Sequence, residues 1–196
     1  TKAALVERDL ALLAPMAAAG TARVTVSITT LDHGLARRME PRAAAPARRL
    51  ETVRRLREAG IPVTVLMAPI IPALNDHEIE AILAAAGEAG AVDAGYVLLR
   101  LPHEIKDLFG EWLQAHFPER AGRVLARVRD TRGRKLYDPA WGERMRGSGE
   151  YAGLLAQRFA LARRRSGLQA PPALRADRFR APAPPPDAGD RQLSLL

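Results

Sequence analysis

Between Val24 and Leu101 the apolar positions switch repeatedly between two periods, and the switching predicts the fold. Val24, Val26 and Ile28 alternate with Thr25, Ser27 and Thr29, which predicts a strand with one buried and one polar face. Pro62 to Ile71 (PVTVLMAPII) is nearly continuous in apolar residues, the pattern of a parallel strand covered on both faces, and Gly95 to Leu101 (GYVLLRL) repeats it. The intervening segments carry helical spacing instead. Pro46 opens a helix to Ala59 with Leu50, Val53 and Leu56 inward, its arginines on a solvated face and Gly60 as its cap. Asn75, with Glu78 three residues on, predicts a capping box for a helix from Asp76 to Ala89 that buries Ile79, Ile82 and Leu83 and ends at Gly90. Ahead of the first strand, Ala4 to Ala19 predicts a helix with Leu5, Leu12, Leu13 and Met16 inward, closed by Gly20.

Strands joined by single helices imply right-handed crossovers and a parallel sheet, with ligands at the carboxyl ends of the strands. The pattern predicts an α/β fold with parallel strands, followed by C-terminal helices and a disordered tail; the resemblance given below implies that the sheet is a partial (βα) barrel. Residues 1–102 form the barrel part. Residues 103–168 form a helical extension, with helices predicted over His103–Phe117, Glu119–Arg129 and Gly149–Arg165. Ile105, Leu108, Phe109, Trp112 and Leu113 make the apolar stripe of the first, and most of the aromatics are assigned to core. Between the last two helices, RGRKLYDPAWGERMRGSG is basic and glycine-rich. It suits a loop that stacks a base on Tyr137 or Trp141 while arginines hold phosphates, or one that closes over the barrel mouth with both rings in the core. Residues 169–196 form a proline-rich tail, disordered from Gln169 to Asp190 for want of any hydrophobic period.

Charge adds one open question. Thirty Lys and Arg against 22 Asp and Glu give a net charge of +8, which suits an acidic partner such as nucleic acid. The excess is almost all arginine, with lysine only at Lys2, Lys106 and Lys135, so base composition of the gene explains it equally well. Neither a membrane-spanning run of ~20 apolar residues nor a basic-then-apolar leader is present, which predicts no membrane partner and a cytoplasmic location. His33, His77, His103 and His116 are scattered without metal-ligand spacing, so they predict no metal site. GxSxG, Walker and GxGxxG sequences are missing, which removes the usual hydrolase, NTPase and dinucleotide readings.

The segments SITTLD (Ser27–Asp32), MEPR (Met39–Arg42), AGIPV (Ala59–Val63), APIIPALND (Ala68–Asp76) and GYVLLRLP (Gly95–Pro102), in this order, resemble the latter half of a radical S-adenosylmethionine (SAM) protein. Within that superfamily they resemble the group related to spore photoproduct lyase, often described as DNA repair photolyase-like. The resemblance runs from Thr1 to about Leu168. It implies a radical SAM enzyme in which a [4Fe–4S] cluster and SAM generate a 5′-deoxyadenosyl radical, with lyase-like action on nucleic acid as the implied activity. It also implies that Lys2, of a threonine-lysine pair ending a strand, contacts SAM together with Ser27 and Thr29. The bland alternatives are a solvated lysine and strand hydroxyls bonded to backbone. Glu40, Arg42, Asn75 and Arg100, at the carboxyl ends of the strands, are further substrate or cofactor candidates. A guanidinium there would fork onto a carboxylate or phosphate, whereas Glu40 pairing with Arg42 is the structural alternative. The family pattern has glycine where Ala73 and Arg134 stand.

The chain has no cysteine, and such clusters are held by three clustered thiolates. It is accordingly expected to be the C-terminal portion of a longer enzyme whose upstream part carries the cluster ligands, and to be inactive alone. Two other readings stay open: a non-catalytic nucleic-acid or partner-binding protein on a remnant sheet, and an aldolase-type barrel, which lacks a Schiff-base lysine at a strand end. Finally, Gln192, Leu193, Ser194, Leu195 and Leu196 resemble the bacterial sliding-clamp-binding motif, with Leu196 in place of the aromatic residue, which makes the clamp an expected partner.

Overall fold

The computed structural model describes residues 1–140, 143–177 and 179–181. Three parallel strands, β1 (Val24–Ser27), β2 (Val63–Ile70) and β3 (Asp93–Leu98), form one sheet in the order β1-β2-β3. Val24 pairs with Val63 and Val65 with Ala94, and the β2–β3 register shifts between Met67 and Ile70, where Pro69 has no N–H to donate. The helices are α1 (Leu10–Ala18), α2 (His33–Met39), α3 (Pro46–Glu58), α4 (Ile79–Glu88), α5 (Ile105–His116), α6 (Pro118–Asp130), α7 (Glu143–Arg146) and α8 (Gly149–Arg165). Short 3₁₀ turns at Ala4–Asp9 and Asp76–Glu78 precede α1 and α4. The sheet is parallel, as the periodicity predicts, and forms an open arc, consistent with the partial barrel that the resemblance implies; it does not close.

Only one face of the arc is covered. Val24, Val26, Val53, Leu56, Val63, Val65, Met67, Ile79, Ile82, Leu83, Tyr96, Leu155 and Phe159 make the main core between the sheet and α3, α4 and α8. On the other face Thr25, Ser27, Thr64, Leu66 and Val97 are half-buried, so the apolar run of β2 does not mark a strand covered on both sides. That run instead supplies one wall of a concavity. A second core, with Leu35, Ile71, Leu74, Leu101, Leu113, Val124 and Val128, joins α2, α5 and α6 above the carboxyl ends of the strands.

Two helix phases differ from those the sequence predicts. Before β1 the inward residues are Val6, Leu10, Leu13, Ala14 and Ala17, while Leu5 and Leu12 are each 68% exposed and Met16 47%. The 3₁₀ first turn advances the chain by about 120° per residue rather than 100°, which rotates the stripe. On α3, Arg49 is buried rather than solvated, because it sits four residues before Val53 and seven before Leu56, on the core stripe itself.

Four helices end alike. The N–H of Gly20, Gly60, Gly90 and Gly167 donates to the carbonyl three residues back, and the next N–H to the carbonyl five back, in each case with the glycine at positive φ. After α1, α3 and α4 the chain then turns into β1, β2 and β3. After α8 it starts the same way, Gln169 donating to the Val92 carbonyl beside β3, but Pro171 and Pro172 follow and the chain crosses below the sheet. Arg23 donates to the Pro172 carbonyl and Arg175 N–H to that of Gly20, so this first part of the segment predicted as disordered is tied down.

Candidate functional site at the carboxyl ends of the strands

Thr1 extends the sheet beyond β1: its amino group donates to the Thr25 carbonyl at 2.7 Å and its carbonyl accepts from Ser27 N–H at 2.9 Å. Lys2 is thereby carried to the same edge as Ser27. Its ammonium meets Glu40, whose carboxylate also accepts from the Thr29 hydroxyl at 3.3 Å and from Arg49. Arg49 spends its remaining donors on the Ala44 carbonyl at 2.7 Å and the Ser27 carbonyl at 3.0 Å. Glu40 is therefore the hub of the site, and its ion-pair partners are Lys2 and Arg49 rather than Arg42. Arg42 is exposed and makes no hydrogen bond or ion pair with another described residue. Burial raises the Glu40 carboxyl, but the hydrogen bonds from Lys2 and Arg49 outweigh it and hold the group below its ordinary value, so it is a carboxylate at neutral pH.

Local sequence explains the placement. Asp32 caps α2 by accepting from Leu35 N–H at 2.9 Å, which aims the seven-residue helix so that Met39 and Glu40 end over β1. Glu78 accepts from the Thr30 hydroxyl at 2.5 Å and from Leu31 N–H at 2.6 Å, pinning the start of that turn.

Lys2 and Glu40 stand between two adjoining cavities. One, of about 450 Å³, is walled by Met39, Pro69, Ile71, Leu99 and, from α5, Ile105, Leu108, Phe109 and Trp112. The other, of about 470 Å³, is lined by Ala3, Pro41, Arg42 and Ala43. The predicted core role of the α5 aromatics changes accordingly: Phe109 and Trp112 stack at 5.7 Å between ring centres and are half-buried, while Leu108 is exposed, because α5 lies over the mouth of the arc. Of the predicted residues, Lys2, Ser27, Thr29, Glu40 and Arg42 are brought together.

Asn75 and Arg100 are not. Asn75 is fully buried below the site. Its amide oxygen accepts from Ile71 N–H at 2.6 Å, and its amide nitrogen donates to the carbonyls of Thr29 at 2.8 Å and Pro69 at 3.1 Å. No capping box forms, since Glu78 is committed to Thr30 and Leu31, and Asn75 instead ties the β2 exit to the β1 exit. Ala73 in the same turn has φ of 62° and Arg134 has φ of 68°, the left-handed region that explains glycine in the family pattern at both positions. Arg100 lies beside Arg132 and 3.7 Å from the Met145 sulfur, away from Lys2. Arg132 is itself 1% exposed, with its guanidinium on the carbonyls of Leu99 and Glu143, and burial followed by the repulsion of Arg100 lowers its pKa. Tyr137 is half-buried, while Trp141 and the predicted clamp-binding residues Gln192, Leu193, Leu195 and Leu196 lie outside the described residues.

Among the described residues no group of three or more His, Cys, Asp or Glu could hold a metal ion, and no helix is long and apolar enough to cross a membrane. The residue that sequence reading missed is Arg49. Its signal was present in the i, i+4, i+7 relation to Val53 and Leu56.

Comparison with known proteins bears on the same segment. The chain is 32% identical over 125 residues to the uncharacterized protein Rv2578c of Mycobacterium tuberculosis, a match covering 63% of this chain and 37% of that protein. The uncharacterized protein Mb2609c of Mycobacterium bovis matches to the same extent. The uncharacterized protein ORF301 of Acidianus two-tailed virus is 42% identical over 72 residues, 37% of this chain and 23% of that one. The match thus spans little more than a third of the mycobacterial relatives and under a quarter of the viral one, and no solved structure matches the chain. Residues 2–86, the span that holds Lys2, Ser27, Thr29, Glu40 and Arg49, match the model of the Radical SAM superfamily.

Proposed function

We infer that the chain is a portion of a radical SAM enzyme and that the Lys2–Glu40 cluster is its contribution to the SAM site. The observation that carries this reading is the coincidence of the family match with a charged, hydroxyl-bearing cluster at the carboxyl ends of parallel strands, where such sheets bind ligands. The residues fit SAM's polar end: a partly exposed ammonium for its carboxylate, a carboxylate for its amino group, and the half-buried Ser27 for a ribose hydroxyl. When bound and reduced, SAM supplies a hydrogen-abstracting radical. The chain's own residues orient and shield. Arg49 holds Glu40 charged, Glu40 holds Lys2 over the edge of β1, and the α5 aromatics wall one cavity beside them.

The residues do not fit the [4Fe–4S] cluster, for a chain without cysteine offers it no thiolate. Its ligands belong, on this reading, to other residues of the same enzyme. Lyase-like action on nucleic acid remains part of the proposal. It draws on the basic charge of +8 and on the resemblance to the spore photoproduct lyase group. The test is anaerobic reconstitution, with iron and sulfide, of a polypeptide in which this chain is joined to a cysteine-bearing half-barrel, followed by assay of SAM cleavage. 5′-Deoxyadenosine formation that falls at least tenfold in Glu40→Gln is expected. An intact cluster-bearing protein that cleaves no SAM overturns the reading.

A further inference from the structure

The repeat of helix ends leaves a strand position that no described residue occupies. Helices α1, α3 and α4 each hand the chain through a glycine cap into the next parallel strand, and α8 does so as far as Gln169 before Pro171 and Pro172 turn the chain away. Among the described residues β3 is consequently an edge strand. Thr64 and Leu66 turn their backbone groups to β1, and Leu99 N–H donates to the Ile70 carbonyl, so Gly95 and Val97 are the residues bonded to β2; the N–H and C=O of Ala94, Tyr96 and Leu98 point to the other side, where Ala94 N–H meets the Asp93 carboxylate and the Leu98 carbonyl accepts from Arg132.

A groove of about 560 Å³ follows this edge, within the size range of peptide and ligand pockets, ~300–1,000 Å³. Its floor on α8 is Gly153, Ala156 and Ala160, whose small size leaves the space beside the strand unfilled. β3 spans six residues, about 20 Å, and its free outward groups run from the Ala94 carbonyl to Leu98 N–H, enough to pair with two or three residues of an added strand. The groove ends differ in charge. Arg163 at the lower end is neutralised by Asp93, whereas Arg146 at the upper end lies over the Tyr96 ring at 4.3 Å and pairs with no described carboxylate.

We propose that this groove is a docking site for an extended peptide segment of a partner protein, added parallel to β3, with an acidic side chain at its C-terminal end against Arg146. The backbone edge supplies affinity, the shallow α8 floor admits alternate small or β-branched side chains, and the one uncompensated arginine sets direction. The site is separate from the Lys2–Glu40 cluster and does not depend on what that cluster binds.

The probe is the blocked peptide acetyl-Thr-Val-Thr-Val-Asp-amide, titrated into the isotope-labelled 196-residue chain and read by the amide resonances of Tyr96 and Leu98. Saturable binding with a Kd below about 1 mM is expected. N-methylation of one alternate set of peptide amides should weaken it at least tenfold, while methylation of the other set leaves it within about twofold. Gly153→Leu fills open space in the groove, meets nothing within 4 Å where its Cβ starts, and favours the helix, so it should fold and abolish binding. Arg146→Glu should weaken the acidic peptide at least fivefold and leave its Asn-ended counterpart unaffected. Binding that survives Gly153→Leu, equal effects of the two methylated peptides, or a chain that dimerises through β3 and takes no peptide would each overturn the proposal.

Discussion

Glu40→Gln removes the charge at the centre of the site while keeping its shape. Glu40 has a side chain only 10% exposed and Arg49 one only 3% exposed, so the pair is effectively buried, whereas Lys2 at 44% exposure adds little through solvent screening. Breaking a buried pair costs about 3–5 kcal/mol, because the surviving charge is left uncompensated. Arg49 keeps the Ala44 and Ser27 carbonyls, and the glutamine oxygen still accepts one bond, so the cost here falls just below that range, about 2–3 kcal/mol. With a urea dependence of roughly 2 kcal/mol per M, the midpoint drops by about 1 M. Arg49→Met should cost a similar amount, and the double variant should be less destabilised than the sum by about 2 kcal/mol, since no charge is then stranded. A midpoint shift below about 0.3 M for Glu40→Gln, or strict additivity in the double variant, would refute the buried-hub account.

Ala73→Gly relieves a left-handed alanine and should raise stability by about 0.5–1 kcal/mol in urea unfolding; a loss would show that the turn is set by something other than backbone preference. Asn75→Ala strands Ile71 N–H and the Thr29 carbonyl in the interior and should cost about 3 kcal/mol, against about 1 kcal/mol for a simple helix cap, so the measured value separates the two roles. Hydrogen bonding from Arg48 holds Glu7 down at about 2 from 4.5. A depressed carboxyl stabilises the fold above 4.5 and loses that contribution as pH falls toward about 2, so the Tm of the wild type should drop more steeply across that window than that of Glu7→Gln.

The sequence made the sheet legible because its strands and helices obey different periods, and the three strands, α3, α4, α6 and α8 fall within a few residues of their predicted bounds. The ends of the strands were less legible. Thr30 and Asp32 read as generic polar residues and Glu78 as part of a helix cap, and only the fold shows that Glu78 reaches 48 residues back to Thr30. Asn75 and Glu78 have capping-box spacing, but the buried Ile71 N–H competes for the Asn75 amide oxygen and wins. Arg49 was assigned to solvent by residue type although its position lay on the core stripe, because a buried arginine is stable only with partners that arrive from Glu40, Ala44 and Ser27. The phase of the first helix failed for a local reason, the 3₁₀ turn that precedes α1.

The central claim is that the carboxyl ends of these strands hold SAM, and calorimetric titration of SAM into the 196-residue chain tests it most directly. The account predicts one saturable site per chain, with a Kd below about 1 mM, weakened at least threefold by Ser27→Ala and lost in Lys2→Met. No saturable heat from a folded chain, or equal affinity in both variants, would contradict it.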